Sequence, residues 1–147
     1  MRNRPGVSLF DLIITLAVLA VLGVMATPGL VRARDAYAVR ASRDATAALI
    51  ERARSLATSR GTARLVVDPA TAELRLESPA GAQAHDPMAI GHLFGVRLTV
   101  DGRSSGSVAL DFNAMGLGVV ANRTLRFRRG REEAGLSLSI YGRPRRW

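Results

Sequence analysis

Asp11 heads an uncharged run that extends from Leu12 to Val31, and a carboxylate in that place needs a partner. A charge carried to mid-bilayer costs about 2.5 to 3.5 kcal/mol even on the gentler insertion scales. A plain membrane anchor gains nothing from it, so Asp11 is a candidate for chemistry. The second concentration of reactive groups is basic and lies at the other end. Between Arg123 and Trp147 there are eight arginines against two acids, Glu132 and Glu133, a local excess of six positive charges within a net charge of +9. Such a surface attracts polyanions or anionic headgroups.

Other residue types offer little for catalysis. There is no cysteine, which excludes disulfides, thiolate metal sites and a thiol nucleophile. His85 and His92 are the only histidines, and Asp86 is the only acid at metal-ligand spacing from them. They read as solvated loop histidines. Gly116-Leu117-Gly118-Val119-Val120-Ala121 satisfies a G-x-G-x-x-A spelling, yet that fingerprint needs a helix after the glycines to receive pyrophosphate. Here the turn Asn122-Arg123 and a strand pattern follow, so the segment is expected to be a β-turn. Asn122-Arg123-Thr124 is read as a chance glycosylation spelling. No catalytic residue, metal or cofactor is expected, and the chain is not expected to be an enzyme.

The elements that must position Asp11 and the arginines follow from periodicity. Leu12 to Val31 is 20 residues, about 30 Å as a helix, enough to cross a hydrocarbon core. Arg2 and Arg4 favour a cytoplasmic amino terminus, with Arg32 and Arg34 reducing the asymmetry. A secretory signal peptide fits less well: Asp11 interrupts its apolar region, and Ala26-Thr27-Pro28 is a poor small-x-small cleavage site. Pro28 is expected to kink or loosen the helix. Ala38, Ala41, Ala45, Leu49, Ala53 and Leu56 then recur at three- and four-residue steps, extending an amphipathic helix to about Arg60, with Gly61 as its stop. With 147 residues there is room for one further domain and not two.

Beyond Gly61 the period falls to two. Thr62 to Asp68 and Ala72 to Glu77 flank Pro69-Ala70-Thr71 and predict a hairpin. Ser78 to His92, with two prolines and two glycines, predicts a long loop. Further strands are expected at Leu93 to Val100, Val108 to Phe112, Leu117 to Val120, Thr124 to Arg128 and Leu136 to Tyr141. Alternation turns Leu125, Phe127, Leu136, Leu138 and Ile140 inward and Arg126 and Arg128 outward. The fold class is therefore α+β: a long N-terminal helix, half membrane and half amphipathic, on a mainly antiparallel β head.

The amino terminus resembles that of type IV prepilins, on Arg2 and Arg4 before Gly6, Asp11 five residues into the chain that starts at Val7, and the apolar span behind it. Val7 stands where Phe is usual and Asp11 where Glu is usual, so the charge is kept on a shorter arm. More narrowly the chain resembles the GspH/FimT minor pilins and pseudopilins. That resemblance rests on Ala53-Arg54-Ser55-Leu56-Ala57 ending the helix, Phe112-Asn113-Ala114-Met115-Gly116 at a strand-to-turn junction, and Ile140-Tyr141-Gly142-Arg143 near the end. It implies a pilin-like organisation: residues 1–6 as leader, 7–31 as transmembrane and assembly helix, 32–61 as its amphipathic continuation, and 62–147 as the β domain with a basic C-terminal tail.

The resemblance also implies function. A prepilin peptidase would cut after Gly6 and the new Val7 amine would be methylated. The Asp11 carboxylate would pair with such an amine on a neighbouring subunit, a contact that the positive helix start favours by about 0.3 to 1 kcal/mol. The protein would be a single-pass inner-membrane protein with a cytoplasmic N-terminus and a periplasmic head. Its partners would be other major and minor pilins or pseudopilins and an inner-membrane assembly platform. It would serve a type II secretion pseudopilus or a type IV pilus as a structural and assembly subunit. The tail Gly142-Arg143-Pro144-Arg145-Arg146-Trp147 also resembles the GRxR pattern of FimT-type minor pilins, which bind DNA during uptake. On that reading Arg143 and Arg145 are the motif positions, Arg146, Arg126 and Arg128 extend them, and Trp147 offers a stacking face. The alternative is a solvated basic end, since Gly-Arg also closes many secretion pseudopilins.

Overall fold

The computed structural model describes residues 8–78, 83–119, 122–139 and 141–147. Gly6, Val7 and the inward position expected of Ile140 lie outside the described residues. The chain divides into two compact units, Met1–Arg34 and Asp35–Trp147. Helix α1 (Leu9–Arg60) contributes to both.

In the first unit every described residue is exposed. The helix there is long and apolar enough to cross a membrane, and none of its most apolar stretch is buried. Pro28 does not end it. Proline lacks the N–H that would reach the Val24 carbonyl four residues back, and the Thr27 hydroxyl donates to that carbonyl instead at 2.8 Å. A hydroxyl one residue away thus supplies the donor that Pro28 lacks. Thr15 is satisfied in the same manner, donating to the Asp11 carbonyl at 2.6 Å.

In the second unit α1 buries Ala38, Val39, Ser42, Thr46, Ala47, Leu49, Ile50, Ala53 and Ala57. The expected alanine stripe is thus rotated: Ala41 and Ala45 are half-buried, while Ser42 and Thr46 sit fully inside. Their hydroxyls donate to the Ala38 and Ser42 carbonyls at 2.7 and 2.8 Å, so two polar side chains are buried without an unmet hydrogen bond. The helix stops at Gly61, whose N–H reaches the Ala57 carbonyl at 2.8 Å and whose φ of +93° suits glycine.

Two four-stranded antiparallel sheets follow. The first has the order β3-β2-β1-β5, from β1 (Ala63–Asp68), β2 (Glu73–Glu77), β3 (Met88–Ala89) and β5 (Val108–Phe112). The second has the order β4-β6-β7-β8, from β4 (Arg97–Val100), β6 (Arg123–Arg129), β7 (Glu132–Leu138) and β8 (Pro144–Arg146). Leu65, Val67, Leu74, Leu98, Leu110, Phe112, Leu125, Phe127 and Leu136 form one core with the helix.

Several expectations need correction. The loop from Ser78 to His92 contains β3 and the start of a short helix, α2 (Ile90–Phe94), so Leu93 and Phe94 are helical and β4 begins only at Arg97. Leu117 to Val119 forms no strand; only Gly118 bridges to Phe112, and Val120 lies outside the described residues. The last hairpin begins at Glu132, four residues early, and Tyr141 stands in a turn. The C-terminal tail is β8, paired with β7.

Candidate functional site

Asp11 lies in the first turn of α1 and is exposed. Ser8 caps that turn, its Oγ accepting the Phe10 N–H at 3.3 Å. Ser8 and Asp11 thus have the spacing of a capping box, which also places an acid where the helix start favours it. That local role was readable in Ser8-Leu9-Phe10-Asp11. Among the described residues Asp11 makes no ion pair, and its carboxylate is available to an external cation.

The basic end is organised by the register of the second sheet. On its outer face Thr99, Arg126 and Gly135 form one cross-strand row and Arg97, Arg128 and Glu133 the next. Thr124, Ser137 and Arg145 form a third. Arg126, Arg128 and Arg145 are exposed as expected. Arg146, however, lies opposite Leu136 on the inward side of the edge strand. Its Nε is 3.6 Å from Asp44 on α1, so it does not share the face of Arg145. Arg143 is exposed and precedes β8 after the turn at Gly142, whose φ is +70°.

Trp147 is held against the sheet. Its backbone exchanges two hydrogen bonds with Gly135, at 3.0 and 3.1 Å, and its indole N–H donates to Ser137 Oγ at 3.2 Å. The ring lies across Gly135 so closely that a Cβ there would fall on its six-membered portion. The Arg126 guanidinium carbon is 5.5 Å from the ring centroid, within cation–π range. Gly135 is therefore the seat of Trp147, and the indole latches β8 to the sheet while remaining about half exposed.

Arg129 fastens this sheet to the helices, and Arg54 fastens α1 to the loop after β5. Arg129 Nε pairs with Asp35 of α1 at 2.8 Å, and its Nη1 donates to the Phe94 carbonyl at the end of α2. Arg54 Nε donates to the Gly116 carbonyl at 3.0 Å and its Nη1 to Glu51 at 2.9 Å. A Cβ at Gly142 would stand 2.8 Å from that same Gly116 oxygen and 3.2 Å from Arg54 Nε. The three sequence pieces that carried the GspH/FimT resemblance thus meet in space. The glycine that opens the GRxR spelling has a structural reason of its own.

Asp101 is an acid whose carboxyl is held below its ordinary range. Burial raises its pKa, but the Thr124 N–H at 2.8 Å and the Arg123 guanidinium at 2.7 Å outweigh that. With Gly102 it forms the two-residue turn of a tight hairpin between Val100 and Arg103, both at positive φ. The Asp101-Gly102 pair is itself the sequence signal for that turn. His85 is fixed, accepting from Arg52 at 2.8 Å through Nε2 while Nδ1 donates to the Asp86 carbonyl at 2.9 Å. His92 is exposed on α2. No group of three potential metal ligands occurs among the described residues.

No protein-family model matches the chain, and no curated protein matches it by sequence. Solved structures do match. One is a crystal structure of the type IV minor pilin FimU of Pseudomonas aeruginosa, with TM-score 0.57 and 18% identity over 73% of this chain and 86% of that one. A second crystal form of FimU matches with TM-score 0.56 and 20% identity over 74% and 91%. At that identity the likeness concerns the fold: a long N-terminal helix packed on an antiparallel head, the pilin fold that FimU shares.

Proposed function

We propose that this chain is a minor pilin or pseudopilin, a structural subunit that α1 holds in a membrane and joins to a filament. One observation carries the reading: a head with the fold of a type IV minor pilin follows an apolar, unburied helix that opens with an acid. The FimU likeness favours a type IV pilus over a secretion pseudopilus as the first machine to examine. Prepilin peptidase removes residues 1–6, the Val7 amine is methylated, and Asp11 pairs with a neighbour's terminal amine as subunits enter the filament through an inner-membrane platform. The N-terminus is cytoplasmic before cleavage and the head periplasmic. The role is assembly and not catalysis.

Processing is tested by the intact mass of protein extracted from membranes of a host with the matching peptidase. Loss of Met1 to Gly6 and gain of one methyl group are expected; retention of the leader overturns the reading.

A second reading, DNA capture by the head, is favoured by the outward placement of Arg126, Arg128 and Arg145 on one sheet face. Each phosphate contact contributes about 0.9 to the slope of log affinity against log salt. Replacing Arg143 and Arg145 by Ala in the full-length protein should lower that slope by about 1.8, two such contacts. Arg146→Ala should leave it unchanged, because Arg146 faces Asp44. Equal slopes in all three proteins would remove Arg143 and Arg145 from any contact with DNA.

A further inference from the structure

Arg97 of β4 and Arg128 of β6 stand directly opposite one another in the ladder. Side chains so placed have Cβ atoms about 5 Å apart, and like charges there are destabilising. Both arginines are exposed on the outer face. Among the described residues neither side chain makes an ion pair or hydrogen bond. Glu133 stands opposite Arg128 on its other side but directs its carboxylate to Arg126 at 3.4 Å, and Asp101 pairs with Arg123 and the Thr124 N–H.

The pair opens onto a groove of about 1000 Å³ between the turn at 69–72 and the second sheet, which also presents Arg126, Thr99, Thr124 and Ser104. Its volume is at the upper end of small-molecule sites, about 300 to 1000 Å³. The groove thus combines three guanidiniums and several hydroxyls with two carboxylates, Asp101 and Glu133, each of which already pairs with another arginine. Guanidinium presents paired N–H donors that match phosphate oxygens.

We propose that this groove binds phosphate esters, with one phosphate bridging Arg97 and Arg128. The site is separate from the tail: it requires Arg97, which lies far from the Gly-Arg spelling in sequence, and it does not require Arg143 or Arg145. A concave groove of small-molecule volume suits a free phosphate ester; a phosphodiester strand or a phospholipid headgroup would share the chemistry and is an outcome of the test.

The test uses the full-length protein in phosphatidylcholine nanodiscs, titrated at constant ionic strength with inorganic phosphate, a short oligothymidylate, or phosphatidylglycerol vesicles against phosphatidylcholine vesicles. Phosphate should raise the unfolding midpoint above a sodium chloride control. Arg97→Glu should raise the midpoint without ligand, since a glutamate opposite Arg128 replaces repulsion with attraction, and should weaken phosphate binding at least about tenfold. Arg97→Gln should show the same loss of binding with a smaller rise. Whichever of the oligothymidylate and the vesicles shows the same Arg97 dependence is the source of the phosphate, and dependence with inorganic phosphate alone points to a free ester. Full phosphate affinity in Arg97→Glu, a lower midpoint in that variant, or no effect beyond sodium chloride overturns the proposal. If Arg143→Ala with Arg145→Ala loses oligothymidylate but keeps phosphate, the tail reading and the groove are separated, and the groove stands.

Discussion

Replacing Arg129 by Ala removes the clamp between the β6–β7 hairpin, α1 and α2 in a single step. The Arg129 and Asp35 side chains are 23% and 16% exposed, and their contact is 2.8 Å. Losing one partner of a fully buried pair costs about 3 to 5 kcal/mol, because the other charge is left without compensation. Here water reaches both groups, which lowers the expectation to about 2 to 3 kcal/mol, in the range for hydrogen bonds to charged groups. The lost Phe94 carbonyl contact is included in that figure. For a head of this size each kcal/mol shifts the midpoint by about 4 °C, so Arg129→Ala should unfold about 8 to 12 °C lower. Thermal melts followed by near-UV circular dichroism provide the assay, with Asp35→Ala and the double variant completing a cycle. The double variant should be less destabilised than the sum of the singles by at least about 1 kcal/mol. A cost of Arg129→Ala under about 0.5 kcal/mol, or additive singles, would refute the clamp.

Two further predictions concern the second sheet. Gly135→Ala should displace the Trp147 ring and cost about 1 to 3 kcal/mol through overpacking; because Trp147 is the sole tryptophan, its emission should shift to the red, and unchanged emission contradicts the latch. Asp101 is depressed in the fold, so its contribution is present above the ordinary carboxylate pKa of about 3.9 and is lost as pH falls through its lower folded value. The difference in melting point between wild type and Asp101→Asn should therefore be constant from about pH 7 to 5 and close in stronger acid; a difference that persists there contradicts the Arg123 and Thr124 assignment.

What the sequence disclosed depended on whether the signal was local. The apolar run, the three- and four-residue spacing to Arg60 and the stop at Gly61 made α1 legible. Strict alternation in Leu125 to Arg128 placed Arg126 and Arg128 correctly. β8 was not legible, because Pro144-Arg145-Arg146 has no apolar alternation; its pairing depends on Gly135, nine residues before Pro144, leaving room for an indole. Treating that segment as a tail set Arg146 beside Arg145, whereas a strand puts neighbours on opposite faces. α2 was hidden by Gly91, which reads as a loop residue but is required because a Cβ would stand 2.8 Å from the Thr71 carbonyl. The Arg97 and Arg128 pair is a matter of register between strands more than twenty residues apart, which no local pattern encodes.

The most direct measurement of the central claim is filament incorporation of Asp11→Ala and Asp11→Glu variants expressed in a host that assembles the wild-type protein, read by immunoblot of membranes and of sheared filaments. Removing a charge from the apolar span does not hinder insertion, so the Ala variant should reach the membrane at the wild-type level and be missing from filaments, while the Glu variant should be present in both. Recovery of Asp11→Ala in filaments at the wild-type level would contradict assembly through that carboxylate.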